Sequence, residues 1–284
     1  MKTRISPLFT RCLVRCAYLV LAGLWYMPAQ AATVSGGALI LNLDRDALIA
    51  GTLLDNFPDA PTASFQICCR PSIYLEEFFD STAASTLSFS QIIESNTPDL
   101  YDLVSDEIPA TGLRFDVNGT TAPNPPARAN QPTNFSFDPA NLFGTASGAI
   151  GLGGVMRFRV DVAPPTNRIN LGDLTLEYHP ELEGVSPGRS GWLLVNNIGF
   201  TADGFELFDV TTTLTPESLI LSGNVGFGWG FDHVGSGAAR AADTRIGTFR
   251  FQTSVVPLPA SVWLLASSLF GLFSRVHFTR RRPS

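Results

Sequence analysis

Residues 155–162 read VMRFRVDV, and their alternation decides the fold class. Met156, Phe158, Val160 and Val162 alternate with Arg157, Arg159 and Asp161, which is the period of two that a β-strand imposes on its side chains. One face is therefore expected to meet a core and the other to meet solvent. The same period recurs in Ala38–Leu43, Leu113–Val117, Asp173–Tyr178, Gly204–Val210 and Thr248–Thr253. Trp192–Val195 (WLLV) is apolar throughout, as expected of a strand covered on both sides. Clusters of Gly, Pro, Asn, Asp and Thr separate these runs and supply turn chemistry. About ten strands in roughly 220 residues predict an all-β fold, an antiparallel β-sandwich of jelly-roll type, with a barrel as the alternative.

Helical signals are sparse. Pro71 is placed to open a short helix over PSIYLEEFFD (71–80), with Ile73, Tyr74 and Phe78 on one side and Glu76, Glu77 and Asp80 on the other. A second start is expected at Thr97-Pro98-Asp99-Leu100. The proline-rich stretch 122–139 reads as a long surface loop with one embedded short strand. No repeat of domain-building length occurs and no clean linker divides the middle, so residues 32–254 are expected to form one domain.

Both ends read as signals. Lys2, Arg4, Arg11 and Arg15 precede an apolar run from Cys16 to Tyr26 and the small-residue pattern Ala29-Gln30-Ala31. That order describes a secretory signal peptide over residues 1–31, cut after Ala31; the run is short for an uncleaved anchor. At the other end, Val256-Pro257-Leu258-Pro259 stops any strand, because neither proline donates a backbone hydrogen bond. Residues 260–273 are almost wholly apolar, and counting through Phe278 gives about 19 positions, roughly 28 Å of helix. A transmembrane helix is expected within 255–284, with Arg280, Arg281 and Arg282 holding its end in the cytoplasm. The alternative, a buried terminal helix of the domain, would need a polar face that this run lacks.

Charge separates the middle from its ends. Residues 32–254 carry 11 arginines and all 25 acidic residues, a net charge of −14, against −6 for the whole chain. A field of that sign repels phosphate backbones and excludes nucleic-acid binding; neutral glycans, cations and basic surfaces stay open as partners. After signal cleavage only the adjacent Cys68 and Cys69 remain. Neighbouring Cα atoms stand about 3.8 Å apart, closer than an unstrained disulfide wants. The pair reads as two partly buried thiols, with a strained vicinal bond, an intermolecular bridge and a soft-metal site as alternatives.

The tail carries a family resemblance. Val256-Pro257-Leu258-Pro259-Ala260, then Trp263 opening the apolar helix with Gly271 inside it, then the terminal arginine cluster, together resemble the VPLPA variant of the PEP-CTERM sorting signal. The match covers about 28 residues, in the order that signal requires. The resemblance implies recognition by a membrane-embedded transpeptidase-like protease, an exosortase, cutting near the proline motif in a Gram-negative bacterium that makes exopolysaccharide or biofilm matrix. Leu258 departs from the commonest form, which has Glu there.

Catalytic patterns in the middle are incomplete. Gly184-Val185-Ser186-Pro187-Gly188 has the spacing of a nucleophile elbow, but an apolar strand follows instead of a helix, so a turn is expected. Only His179 and His233 remain for acid–base or metal chemistry once the tail is set aside. Phe227, Trp229 and Phe231 alternate with glycines and read either as an aromatic platform for sugar rings or as a hairpin whose rings pack on the domain. Asn42, Asp44 and Asp46 start like a calcium loop without its Gly and later Glu. Nothing selects a carboxylate pair for glycoside hydrolysis. The reading is a non-enzymatic exported protein of the cell surface or extracellular matrix, associated with polysaccharide and requiring no cofactor. A secreted hydrolase and a permanently anchored envelope protein are the alternatives.

Overall fold

The computed structural model describes residues 31–53, 73–94, 107–160, 168–233 and 239–257. Residues 1–30 of the expected signal peptide, the helix start at 97–100, Cys68, Cys69 and the apolar tail helix lie outside the described residues. In chain order the elements are β1 (Ala32–Leu43), α1 (Arg45–Ala50), β2 (Thr52–Leu53), β3 (Ile73–Phe79), α2 (Ser81–Ala84), α3 (Phe89–Glu94), β4 (Leu113–Val117) and β5 (Ser136–Phe137). There follow α4 (Leu142–Thr145), β6 (Ala149–Gly153), β7 (Val155–Val160), β8 (Arg168–Gly172) and β9 (Thr175–Tyr178). The chain continues with β10 (Arg189–Asn196), β11 (Ala202–Leu214), β12 (Ser218–Phe227), β13 (Ala239–Arg240) and β14 (Gly247–Pro257). β5 is the short strand expected inside the proline-rich loop.

The strands run antiparallel in the order β14-β12-β11-β10-β9-β6-β4-β1, and β1 pairs again with β14. The sheet is thus a closed eight-stranded barrel, and the all-β expectation holds while the jelly-roll sandwich does not. Closure follows from β1, whose Ile40 faces Arg114 of β4 on one side and Arg250 of β14 on the other. A closed barrel leaves no long edge to template aggregation. Its interior is packed with apolar side chains: Leu39, Leu41, Phe115, Trp192, Phe205 and Phe251 are all 0–1% exposed. Each such burial contributes about 1.5–3 kcal/mol.

A second sheet, β3-β7-β8, grows out of the barrel wall. The hairpin of β6–β7 and β8–β9 bends away from the barrel where Gly154 takes φ 139° and Asp173 takes φ 46°. The ladder continues across the bend through Leu152 N–H to Leu174 O, 2.7 Å, and Asp173 N–H to Gly154 O, 2.9 Å.

Two expectations about this sheet are corrected together. Residues 73–79 form strand β3, not a helix, and pair antiparallel with β7. β7 itself is buried on both faces, so its arginines do not face solvent. Glu76, with its side chain fully buried, accepts from Arg157 Nε at 2.9 Å, Arg168 Nε at 3.0 Å and Arg159 Nη1 at 3.3 Å. Arg157 also pairs with Glu77 and donates to the Ile92 carbonyl at the end of α3, 2.6 Å. Charges taken off water persist only when so compensated. The polar alternation that looks like a solvent face is the inner wall of an ion-pair layer.

Candidate functional site

The expected processing sites meet at one rim of the barrel. Ala32, the first residue after the expected signal cleavage, is fully buried and stands opposite Pro257 on β14 and Phe137 on β5. Thr33 opposes Val256, and Val34 opposes Val255. Val34 and Val255 point inward at 7% exposure each, whereas Val256 is 44% exposed on the outside. The turn between β11 and β12 closes the same rim, with Val255 N–H donating to Glu217 O at 2.9 Å. Val256 and Pro257 of the proline motif are thus the last rungs of the closing strand. Ala29, Leu258, Pro259, Ala260, Trp263, Arg280, Arg281 and Arg282 lie outside the described residues; Ala31 is described, immediately before β1.

The aromatic platform does not assemble. Phe227 and Phe231 are 3% and 0% exposed, their rings stacked with centroids 4.0 Å apart and joined by Phe205 at 5.9 Å. They belong to the core, whereas Trp229 is 46% exposed. Alternation with glycine carried the pattern, but a tight turn over 229–233 swings Phe231 back over Phe227.

The other candidates are absorbed locally. Ser186 sits in a turn before β10, where its hydroxyl donates to Asp243 Oδ1 at 2.7 Å. His179 lies between two acids, Nδ1 3.1 Å from Glu181 and Nε2 3.3 Å from Glu177. Burial by itself lowers its pKa, but the two carboxylates prevail and raise it. Tyr178 is pushed up to about 12, by burial first and then by its hydrogen bond to Glu183. Asp44 caps α1 by accepting from Ala47 N–H at 2.8 Å, and Asn42 accepts from Gly112 N–H at 2.8 Å. Among the described residues no three His, Cys, Asp or Glu side chains come together as a metal site.

The barrel bend holds a second buried ion pair that the sequence did not announce. Asp173 accepts from Arg128 Nε at 2.7 Å, again from Arg128 Nη2, and from Asn130 Nδ2 at 2.9 Å. Arg128 also donates to the carbonyls of Ala84 and Leu87, and Asn197 Nδ2 donates to Asp173 O at 2.9 Å. Burial pushes the Asp173 carboxyl up, and Arg128 and Asn130 draw it back. A third acid, Glu206 on β11, receives Arg189 at 2.9 Å and Arg240 at 3.1 Å; burial raises its pKa against these two guanidinium groups. These groups brace the bend and the barrel wall.

A further exterior feature lies at β1. β1 carries a bulge between Ser35 and Ala38, with Gly36 at φ 63° and Gly37 at φ 100°. A Cβ on Gly37 would overlap the Gln252 carbonyl, so only glycine fits. Thr253 Oγ1 donates to the Gly36 carbonyl at 2.7 Å and fixes the bulge. Beside it the outer face of β4-β1-β14-β12 forms a shallow groove of about 300 Å³. No family model, no curated protein and no solved structure matches this chain.

Proposed function

We propose that this chain is an exported, non-enzymatic protein of the bacterial surface or extracellular matrix, sorted through its PEP-CTERM-like tail and associated there with polysaccharide. The observation that carries the reading is the pairing of Ala32 with Pro257. A domain threaded out by one signal and held by another is best served when both ends leave by one rim, and here that rim also begins the proline motif. With the barrel closed, the bonds up to Pro257 lie in a paired strand, while the rest of Val256-Pro257-Leu258-Pro259-Ala260 follows it directly. An exosortase-type membrane protease cutting after Pro257 releases a barrel with every β1–β14 rung intact. The non-enzymatic part draws support from the local engagement of Ser186 by Asp243 and from the packing of the buried acids against arginines.

Fractionation of the native host tests this reading. The wild-type protein should reach the medium or the matrix, and a P257A/P259A variant should stay in the membrane fraction at full length. Equal distribution of the two forms between membrane and matrix would contradict sorting through the motif.

A further inference from the structure

In a domain of net charge −14, the groove beside the β1 bulge is lined by two arginines, and the acid that register places beside it, Asp116 opposite Ala38, is already paired with Arg114. Arg114 on β4 and Arg250 on β14 flank Ile40 of β1 in register, so their Cα atoms stand two strand spacings apart, about 10 Å. Between the guanidinium groups lies an apolar floor of Ala38 and Ile40, edged by the exposed Gln252 and Ser254.

Arg250 differs from the other described arginines. Arg45, Arg114, Arg128, Arg157, Arg159, Arg168, Arg189, Arg240 and Arg245 each have a carboxylate within ion-pair distance. Arg250 has no such carboxylate among the described residues; its side-chain contact is Gln252 Oε1 at 3.4 Å. Arg114 keeps its surface partner Asp116 at 2.7 Å, with the guanidinium side chain 59% exposed. A guanidinium offers a planar fork matched to a carboxylate, and the acids elsewhere on the domain are screened beyond about 8 Å at physiological ionic strength.

We propose that this groove binds a carboxylate-bearing saccharide unit of an acidic polysaccharide. The carboxylate meets Arg250, with Arg114 beside it; the C–H face of the sugar lies on Ala38 and Ile40, and Gln252 and Ser254 take up hydroxyl groups. This rests on the polysaccharide association proposed above and names its chemical class. The bulge at Gly36-Gly37 contributes by kinking β1 and setting the groove floor, a use to which bulges beside binding sites are often put.

Titration of the full chain in neutral detergent with polygalacturonate, and with dextran as the uncharged polymer, tests the proposal. Polygalacturonate should bind more tightly than dextran. R250Q should weaken polygalacturonate binding by about tenfold, the loss of one charge-assisted pair. R114Q should weaken it less, because Asp116 already engages that side chain, and R45Q, outside the groove, should leave it unchanged. Equal binding of both polymers, or unchanged polygalacturonate binding by R250Q, overturns the acidic-saccharide site while leaving polysaccharide association standing. Binding of neither polymer removes both, and the fractionation result judges sorting independently.

Discussion

Replacing Asp173 by Asn should cost far more than its size suggests. The side chain is fully buried at the bend where β8 passes into β9, and both its oxygens accept from Arg128. Asn tolerates the left-handed φ of 46° as well as Asp does, so the backbone is not the cause of any loss. What changes is that an amide N–H₂ now faces guanidinium N–H groups, and Arg128 is left buried without its counter-charge. Removing one member of a buried pair costs about 3–5 kcal/mol. With a urea m-value of about 2–3 kcal/mol/M, the unfolding midpoint should fall by about 1.5 M. R128M should be at least as damaging, because the Ala84 and Leu87 carbonyls also lose their donor. The double variant R128M/D173N should recover part of the loss, with a coupling of about 2 kcal/mol or more in the cycle. Urea melts followed by circular dichroism measure all four proteins. A D173N midpoint within about 0.3 M of wild type, or strictly additive singles, would mean that the Asp173–Arg128 pair is not a coupled buried ion pair.

F227A should destabilise the barrel by about 3–5 kcal/mol by opening a void among Phe205, Phe158 and Phe231, whereas W229A should cost less than half as much; reversed urea midpoints would contradict the core assignment. His179 has a folded pKa raised above its unfolded value, so its contribution is fully present below about pH 6.5 and is lost as pH rises through the folded pKa. The stability difference between wild type and H179Q should therefore shrink between about pH 5.5 and pH 8.5, a small effect because the site is partly solvated. A difference that grows over that window in paired melts would contradict the sign.

Much of the barrel was legible because its strands alternate. Leu113–Val117 is β4 as read, Ala38–Leu43 and Thr248–Thr253 lie within β1 and β14, and Trp192–Val195 is the doubly covered part of β10. What escaped was the pairing of charges across strands. Arg157 and Arg159 look solvent-facing and Glu76 looks like the polar side of a helix, because sequence reading assigns each charge to water unless its partner is known. The partners lie some eighty residues apart, and each misreading sustained the other. Closure was illegible for a related reason: nothing within β1 states that one edge pairs with β4 and the other with β14, since both partners present ordinary alternation. The platform failed because period-two spacing of Phe227, Trp229 and Phe231 holds on one face only while the chain stays extended, and it turns at Gly228. The Asp173–Arg128 pair had no signal beyond an acid after Gly172. The groove was equally hidden, because Arg114 and Arg250 become neighbours only through β1.

We propose that the mature protein is the closed barrel, bounded by the rungs at Ala32 and Pro257. Intact-mass measurement of the form released by the native host tests it directly. The released species should begin at Ala32 and end at Pro257 or within the next three residues. A released species ending upstream of Val255, or a protein found only in membranes and carrying its tail through Ser284, would contradict it.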